Sequence, residues 1–152
     1  MSGGVSGVSV TNSRFINCAT GIRVKSGRDR GGYVRDIAYR DIEIVGAISA
    51  AIMINAFYGG APEGCPVVQR YPPPTIANVS FTNIKGLDTT GNLLQLSGLH
   101  DDPTYNISFV NVSFTGGGST PPFSCMGGVK GTYQQLTPAP PSSCGLVPLK
   151  EW

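Results

Sequence analysis

The sequence predicts an all-β fold, a right-handed parallel β-helix of about four coils. The 152 residues include 21 Gly and 12 Pro, a composition that suits many short strands joined by turns. No segment sustains an apolar period of 3.6 residues over three turns, so helix is a poor explanation. A nine-residue pattern of alternating apolar positions occurs four times. Repeats of this length, with strands and no helix, are typical of a β-helix.

The repeats are spaced unevenly. The four copies begin at Gly7, Asp36, Asn78 and Asn106, so the intervals are 29, 42 and 28 residues. We interpret the long middle interval as one coil that carries a Gly- and Pro-rich loop insertion over residues 57–74. A second strand signal lies 15 or 16 residues after each of the first three copies begins; its members are Ile22/Val24, Ile52/Ile54 and Leu94/Leu96. Each repeat therefore holds at least two short strands.

Stacking of such repeats predicts the interior. Aliphatic side chains would form ladders inside, and Asn side chains at equivalent turns would hydrogen-bond along the axis. A leucine-rich repeat is the competing architecture. Against it, the Asn follows the second apolar position by two residues rather than three, and the longer consensus of that repeat is absent.

Composition and charge exclude several classes. A net charge of +2, without a dense Lys/Arg stripe, gives no nucleic-acid footprint. No apolar run approaches the roughly 18 residues that span a membrane. The first residues do not form a signal peptide, yet four cysteines and three glycosylation sequons, at Asn78, Asn106 and Asn111, indicate the secretory route. Because each sequon overlaps the repeat, turn chemistry alone explains it; Asn78 is the best glycosylation candidate.

Two cations stand out on the strand signal at residues 21–26. On an extended strand, alternate side chains share a face about 7 Å apart, so Arg23 and Lys25 would stand together in solvent while Ile22 and Val24 enter the core. Two like charges side by side repel each other, and an acidic ligand would be a reason to hold them there. The alternative is an ordinary half-buried strand with a basic outer face.

The repeats and this basic strand together resemble the C-terminal part of plant-type polygalacturonases, which are family 28 glycoside hydrolases. Residues 1–58 carry the most specific similarity; residues 78–84 and 123–144 are similar to the later coils and the closing loop. The resemblance implies a pectin-lyase-like solenoid in a secreted enzyme of the cell wall. It implies hydrolysis of α-1,4-galacturonosyl bonds in pectin with inversion, and neither a cofactor nor a metal.

The resemblance also assigns site residues. In that family the Arg and Lys of this strand bind a galacturonate carboxylate, and a Tyr one coil later lines the cleft; Arg23, Lys25 and Tyr58 match these positions. Arg offers a planar fork, Lys a point charge, and Tyr an apolar face with a hydroxyl. The alternative for Tyr58 is a plain packing residue. The resemblance further implies a disulfide between Cys125 and Cys144.

Cys18 and Cys65 have no such assignment. Cys18 sits at a turn beside the first repeat and Cys65 lies within the loop insertion. They could pair, or Cys18 could remain free and buried, and no argument from sequence decides between the two.

The catalytic segments of that family precede the basic strand, and they are not found here. Inverting hydrolysis needs one carboxylic acid and one carboxylate, but the chain has no Asn-Thr-Asp, no Gly-His-Gly and only 24 residues before Lys25. The run His100-Asp101-Asp102 follows Arg23 in chain order, and Pro103 marks it as a solvated turn. Three consecutive side chains cannot easily converge on a metal.

We therefore expect a single partial β-helix domain over residues 1–152, truncated at its N-terminal side. Its coils would run to residue 122 and a closing loop or cap from 123 to 152. The chain would keep the carboxylate-binding residues, lack the catalytic acid and base, and not hydrolyse pectin. The full-length fold would be a monomer, whereas the uncapped edge would make the isolated chain prone to aggregate. A non-catalytic binder of acidic polysaccharide and a structural β-solenoid are the competing functions.

Overall fold

The computed structural model describes residues 3–28, 30–58, 72–100 and 104–150. Ten strands lie in these ranges and none of their residues is helical. The strands are β1 Gly4–Ile16, β2 Thr20–Lys25, β3 Tyr33–Val45, β4 Ala50–Asn55, β5 Thr75–Thr89, β6 Asn92–Ser97, β7 Thr104–Gly116, β8 Phe123–Met126, β9 Val129–Thr137 and β10 Gly145–Pro148. The described ranges hold no helix long and apolar enough to cross a membrane.

The strands form two parallel sheets. Sheet A has the order β1-β3-β5-β7-β9-β10 and sheet B the order β2-β4-β6-β8. Every neighbouring pair is parallel. From β1 to β8, consecutive strands alternate between the sheets, so each turn of the chain adds one strand to both. This winding confirms the predicted parallel β-helix, whereas a leucine-rich repeat contributes one strand per repeat and would not form two such sheets.

Stacked side chains from successive coils fill the interior. In sheet B the inward columns are Ile22–Ile52–Leu94–Phe123 and Val24–Ile54–Leu96–Cys125. In sheet A the rings of Tyr39, Phe81 and Phe109 stack nearly parallel, with centroids 5.4 and 4.9 Å apart. The predicted internal ladders are thereby confirmed. Because each side chain contacts its counterparts in the neighbouring coils, the core is continuous along the axis.

Each nine-residue repeat begins at a corner of the chain. The first residue of every copy has a left-handed backbone, and a second such residue follows five positions later. The first set has φ of 67° at Gly7, 58° at Asp36, 54° at Asn78 and 54° at Asn106; the second has 50° at Asn12, 56° at Asp41, 54° at Asn83 and 52° at Asn111. Gly, Asn and Asp tolerate this conformation better than other residues do, which explains their recurrence at these positions.

The corner side chains are joined from coil to coil. Asn78 Nδ2 donates to Asp36 Oδ1 at 2.8 Å, and Asn106 Nδ2 donates to Asn78 Oδ1 at 2.7 Å. In the second set, Asn83 donates to Asp41 and Asn111 donates to Asn83, both at 2.9 Å. The predicted hydrogen bonding of Asn along the axis is confirmed. Glycosylation of the three sequon asparagines stays a prediction.

The first coil leaves apolar side chains in solvent. Strands β1 and β2 each form one edge of their sheet. Val5, Val8 and Ile16 of β1 are 49%, 39% and 52% exposed. An edge strand with exposed apolar side chains is a template for pairing with another chain. Aggregation of the isolated chain stays a prediction.

Both sheets continue beyond residue 122. Strand β8 extends sheet B, and β9 and β10 extend sheet A. A disulfide joins Cys125 of β8 to Cys144, which directly precedes β10. It therefore links the last strand of sheet B to the last strand of sheet A. The division of the domain at residue 122 stays a prediction.

The two other cysteines are Cys18 and Cys65. Cys18 is a free, half-buried thiol that donates to the carbonyl of Ile16 at 3.5 Å. Cys65, and with it the question of a Cys18–Cys65 pair, lies outside the described residues.

Candidate functional site

The two predicted cations lie on the outer face of β2. Ile22 and Val24 are only 2% and 5% exposed, because they point into the helix interior. Arg23 and Lys25, at the alternate positions, are exposed. The alternation predicted from the sequence therefore holds, and it places one guanidinium and one ammonium group on the same face at the edge of sheet B.

A short network of hydrogen bonds brings Tyr58 to these cations. The backbone N–H of Ser26 donates to the carbonyl of Asn55, and the N–H of Tyr58 donates to the carbonyl of Ser26, both at 2.8 Å. The Asn55 side-chain oxygen accepts the N–H of Phe57 at 2.8 Å. This last bond closes an Asx turn directly after β4. The ends of two neighbouring strands are thus tied together, and Tyr58 is placed beside β2.

Gly27 makes this close approach possible. A Cβ atom at position 27 would lie 2.3 Å from the carbonyl oxygen of Tyr58, a distance that no side chain can accept. A larger residue would separate the turn after β2 from the turn after β4. Gly27 therefore helps to set the position of Tyr58.

The Tyr58 ring lies against both cations. Lys25 Nζ is 4.1 Å from the ring centroid and Arg23 Cζ is 5.0 Å from it. Both distances fall within the range of cation–π attraction, which offsets part of the repulsion between the two positive charges. Because Tyr58 is still 38% exposed, the group of three remains open to a ligand. We call Arg23, Lys25 and Tyr58 the clamp.

The outer face of sheet B changes character away from the clamp. Across the sheet, the residues in register with Arg23 on the next three strands are Met53, Gln95 and Ser124. Those in register with Lys25 are Asn55, Ser97 and Met126. These neighbours are uncharged. Among the described strands of sheet B, the positive charge on the outer face is therefore confined to β2.

A cavity of about 230 Å³ opens beside the clamp at the edge of the first coil. Arg23 and Lys25 form its charged rim. Its walls are apolar and come from both sheets; they are Val5, Val8, Val24, Val34, Ile37 and Tyr39. A charged rim next to an apolar wall suits a ligand with an anionic group and an apolar face.

The acidic side chains lie elsewhere. The described strands of sheet B contain no Asp or Glu. Asp36, Asp41 and Glu43 lie on β3 and Asp88 lies on β5, all in sheet A. No group of three or more His, Cys, Asp or Glu residues within the described ranges could hold a metal ion. Asp101 and Asp102 lie outside the described residues.

Sequence reasoning identified the clamp but missed the residues that position it. Asn55 ends β4 and precedes Ala56-Phe57-Tyr58. An Asn at the end of a strand is a signal for an Asx turn, so this position could have been recognised. The close approach of Gly27 to Tyr58 depends on the stacking of two coils, and no local pattern contains it.

Comparison of the sequence with known proteins matches the chain to one family. The sequence profile of the glycosyl hydrolases family 28 matches residues 2–132. The chain is 35% identical over 115 residues to endopolygalacturonase D of Aspergillus niger, which covers 74% of this chain and 22% of that protein. It is 29% identical to a probable polygalacturonase of Vitis vinifera over 97% of this chain and 29% of that protein.

A third relative is a polygalacturonase of Juniperus ashei, 31% identical over 71% of this chain and 21% of its own length. The chain thus spans less than a third of the length of these relatives. No solved structure matches it. The family profile covers most of the chain, and the fold has the parallel coils that the family resemblance implied. The chain belongs to family 28 of the glycosyl hydrolases.

Proposed function

We propose that this chain is part of a polygalacturonase that hydrolyses α-1,4-galacturonosyl bonds of pectin, and that the clamp holds a galacturonate carboxylate. The observation that carries the proposal is the convergence of Arg23 and Lys25 on Tyr58, at 5.0 and 4.1 Å from its ring centroid. The polygalacturonase names of the relatives support the substrate class.

The chemistry of the clamp suits a uronic acid. The Arg23 guanidinium can donate two parallel hydrogen bonds to one carboxylate, and the Lys25 ammonium adds a compact positive charge. The Tyr58 ring offers an apolar face to the C–H groups of a sugar and a hydroxyl to its oxygens. A neutral sugar of the same shape would leave both cations without a counter-charge, so the clamp favours the free acid over its methyl ester.

The chain's own residues bind and orient the substrate in this proposal. Inverting hydrolysis needs a carboxylic acid at the leaving oxygen and a carboxylate that activates water on the opposite side of the sugar. The outer face of sheet B, on which the clamp lies, offers neither within its described strands. We infer that residues 1–152 alone do not cleave the bond.

A non-catalytic binder of acidic polysaccharide is the second candidate, and the same lack of carboxylates on sheet B favours it. In either case the site of action would be the extracellular cell wall. The Cys125–Cys144 disulfide supports an oxidising compartment, because such bonds rarely persist in the cytosol. A monomer is the proposed state of the complete β-helix, since most of its strand edges are paired.

Retention on immobilised polygalacturonate tests the proposal. We expect the wild-type chain to be retained at low salt, and to pass through a column of fully methyl-esterified pectin. Release of reducing ends, measured in parallel on soluble polygalacturonate, should stay at background. Equal retention on both columns would refute the carboxylate clamp. Turnover by the pure chain would refute the inference that it lacks the catalytic groups.

A further inference from the structure

A second group of cations and tyrosine lies close to the clamp. Five of the 11 Lys and Arg residues fall between positions 23 and 35, and only two of them belong to the clamp. The guanidinium carbon of Arg35 lies 4.6 Å from the ring centroid of Tyr33. Tyr33 is 39% exposed, almost the same fraction as Tyr58. Within the described residues, the arrangement of a cation over an open tyrosine ring therefore occurs at both Tyr58 and Tyr33.

The first coil holds the Tyr33 ring in place. A Cβ atom at Gly4 would fall within 2.5 Å of several ring atoms of Tyr33, so the ring lies directly on the backbone of β1. The N–H of Tyr33 also donates to the carbonyl of Gly3 at 3.3 Å. The ring is thus fixed before any ligand arrives, which lowers the entropy cost of binding.

Arg30 completes this group. It lines a cavity of about 220 Å³ together with Tyr33, Ser26 and Gly31. Arg30 is exposed, as is Arg35. Arg35 forms an ion pair with Asp36, at 3.7 Å between Nε and Oδ2. Such an exposed and long ion pair contributes little, so it leaves the guanidinium available to a carboxylate. We call Arg30, Tyr33 and Arg35 the second patch.

The turn after β2 connects the two groups. Ser26 lines the second cavity, and its carbonyl accepts the N–H of Tyr58 in the clamp. A Cβ atom at Gly27 would lie 2.3 Å from the Tyr58 carbonyl oxygen and 3.6 Å from Arg30 Nε. Arg30 and the turn that carries Tyr58 therefore both lie close to Gly27, which has no side chain. One extended ligand could contact both groups.

We propose that the second patch binds another carboxylate-bearing sugar of the same acidic polysaccharide chain that the clamp holds. This rests on the proposed function. The chemistry is the same in both places: guanidinium groups for the carboxylate and an aromatic face for the sugar ring. Two linked sites raise the affinity for a chain long enough to reach both, because the second contact becomes intramolecular.

Calorimetric titration with galacturonate oligomers of defined length, from monomer to octamer, tests this. For the wild-type chain we expect a step of increasing affinity at the length that first reaches both groups. The variant Arg30→Ala/Arg35→Ala should lose the step, binding the octamer about three- to tenfold more weakly and the shortest oligomers unchanged. Both arginines are exposed, so the fold is retained. The control Arg40→Ala/Lys85→Ala removes the same charge from sheet A and should keep the step.

Two outcomes would overturn the second patch: no step in the wild-type series, or an octamer affinity unchanged in Arg30→Ala/Arg35→Ala. The variant Arg23→Ala/Lys25→Ala separates the two proposals. It should lose binding at every length if the clamp acts as proposed. If it bound as tightly as wild type while the second-patch variant was weakened, the proposed function of the clamp would fail and the second patch would stand alone.

Discussion

The ammonium nitrogen of Lys25 lies 4.1 Å from the centroid of the Tyr58 ring, although the two residues belong to successive coils. The contact exists because the N–H of Tyr58 donates to the carbonyl of Ser26, and this hydrogen bond holds Tyr58 beside β2. The ring holds Lys25 and Arg23 near each other before a ligand binds. A carboxylate that enters the clamp therefore meets charges that are already in position, which is the condition for tight anion binding.

The first prediction concerns Asn55, the residue that positions Tyr58. Replacing Asn55 by Ala removes the acceptor for the N–H of Phe57, so the turn that carries Tyr58 loses one of its hydrogen-bond constraints. We expect the affinity for trigalacturonate to fall about two- to tenfold. Hydrogen exchange at the Phe57 amide should become faster, while the unfolding midpoint changes little because Asn55 lies outside the core.

Two variants control this experiment. Ser97→Ala changes the next residue in the same column of sheet B and should leave the affinity unaltered. Asn55→Asp keeps the side-chain acceptor and should restore the slow exchange of the Phe57 amide. An Asn55→Ala variant with wild-type affinity would show that Asn55 has no positioning role.

The second prediction concerns the corner residue Asn83. It donates to Asp41 and accepts from Asn111, and its φ is 54°. Asn83→Ala loses both hydrogen bonds and places a Cβ in a left-handed backbone, so we expect the free energy of unfolding to fall by about 2–3 kcal/mol. Asn83→Gly loses only the hydrogen bonds and should cost about 1 kcal/mol less. Urea unfolding measures both; equal losses would contradict a contribution from the backbone conformation.

The third prediction concerns the Cys125–Cys144 disulfide. The cross-link closes a loop over a sequence separation of 19, and its removal frees the chain between β8 and β10. We expect Cys125→Ser/Cys144→Ser to lower the free energy of unfolding by about 3 kcal/mol under oxidising conditions. Under reducing conditions the wild-type chain should approach the stability of the variant. Identical unfolding curves for oxidised wild type and variant would refute this role.

The fourth prediction concerns the pH dependence of stability. Burial raises the pKa of Tyr39 above its ordinary value of 10.0, because the interior disfavours the phenolate. The unfolded chain therefore loses this proton first as pH rises. The stabilisation is fully present below about pH 10 and is lost as pH rises towards the higher folded-state pKa. Above about pH 10, the free energy of unfolding measured in urea should fall more for wild type than for Tyr39→Phe. Equal losses of unfolding free energy in the two proteins would contradict a raised pKa of Tyr39 as the cause.

Much of the fold could be predicted because each coil repeats one local pattern. Residues such as Ile52 and Ile54 alternate with outward positions, and this period alone marks a strand with one buried face. Gly7, Asp36 and Asn78 begin the repeats, and their tolerance of a left-handed backbone marks the corners. The Asn or Asp that recurs inside each repeat, such as Asp41 and Asn83, lies at the second corner, and the predicted hydrogen bonding along the axis is found there.

Other parts of the molecule depend on contacts between coils. Strand β9 has a weak apolar pattern, and its pairing with β7 sets its conformation. Arg23 and Lys25 could be recognised from their spacing, whereas the second patch could not. Tyr33 meets Arg35 on the outer face of β3, and Arg30 lines the same cavity as Tyr33 from a turn that contains Gly31 at a φ of 58°. Gly31 and Gly32 mark this turn in the sequence, but which side chains it brings together depends on the packing of β3 beside β1.

The affinity of the clamp for a free uronic acid tests the central claim most directly. Calorimetry would compare trigalacturonate binding to wild type, to Arg23→Ala/Lys25→Ala and to the charge-matched control Arg40→Ala/Lys85→Ala. We predict that the clamp variant binds trigalacturonate at least about tenfold more weakly than wild type does, and that the control variant binds it as tightly as wild type. The methyl-esterified trimer should bind wild type no more tightly than it binds the clamp variant. Equal trigalacturonate affinity for wild type and the clamp variant would contradict the account.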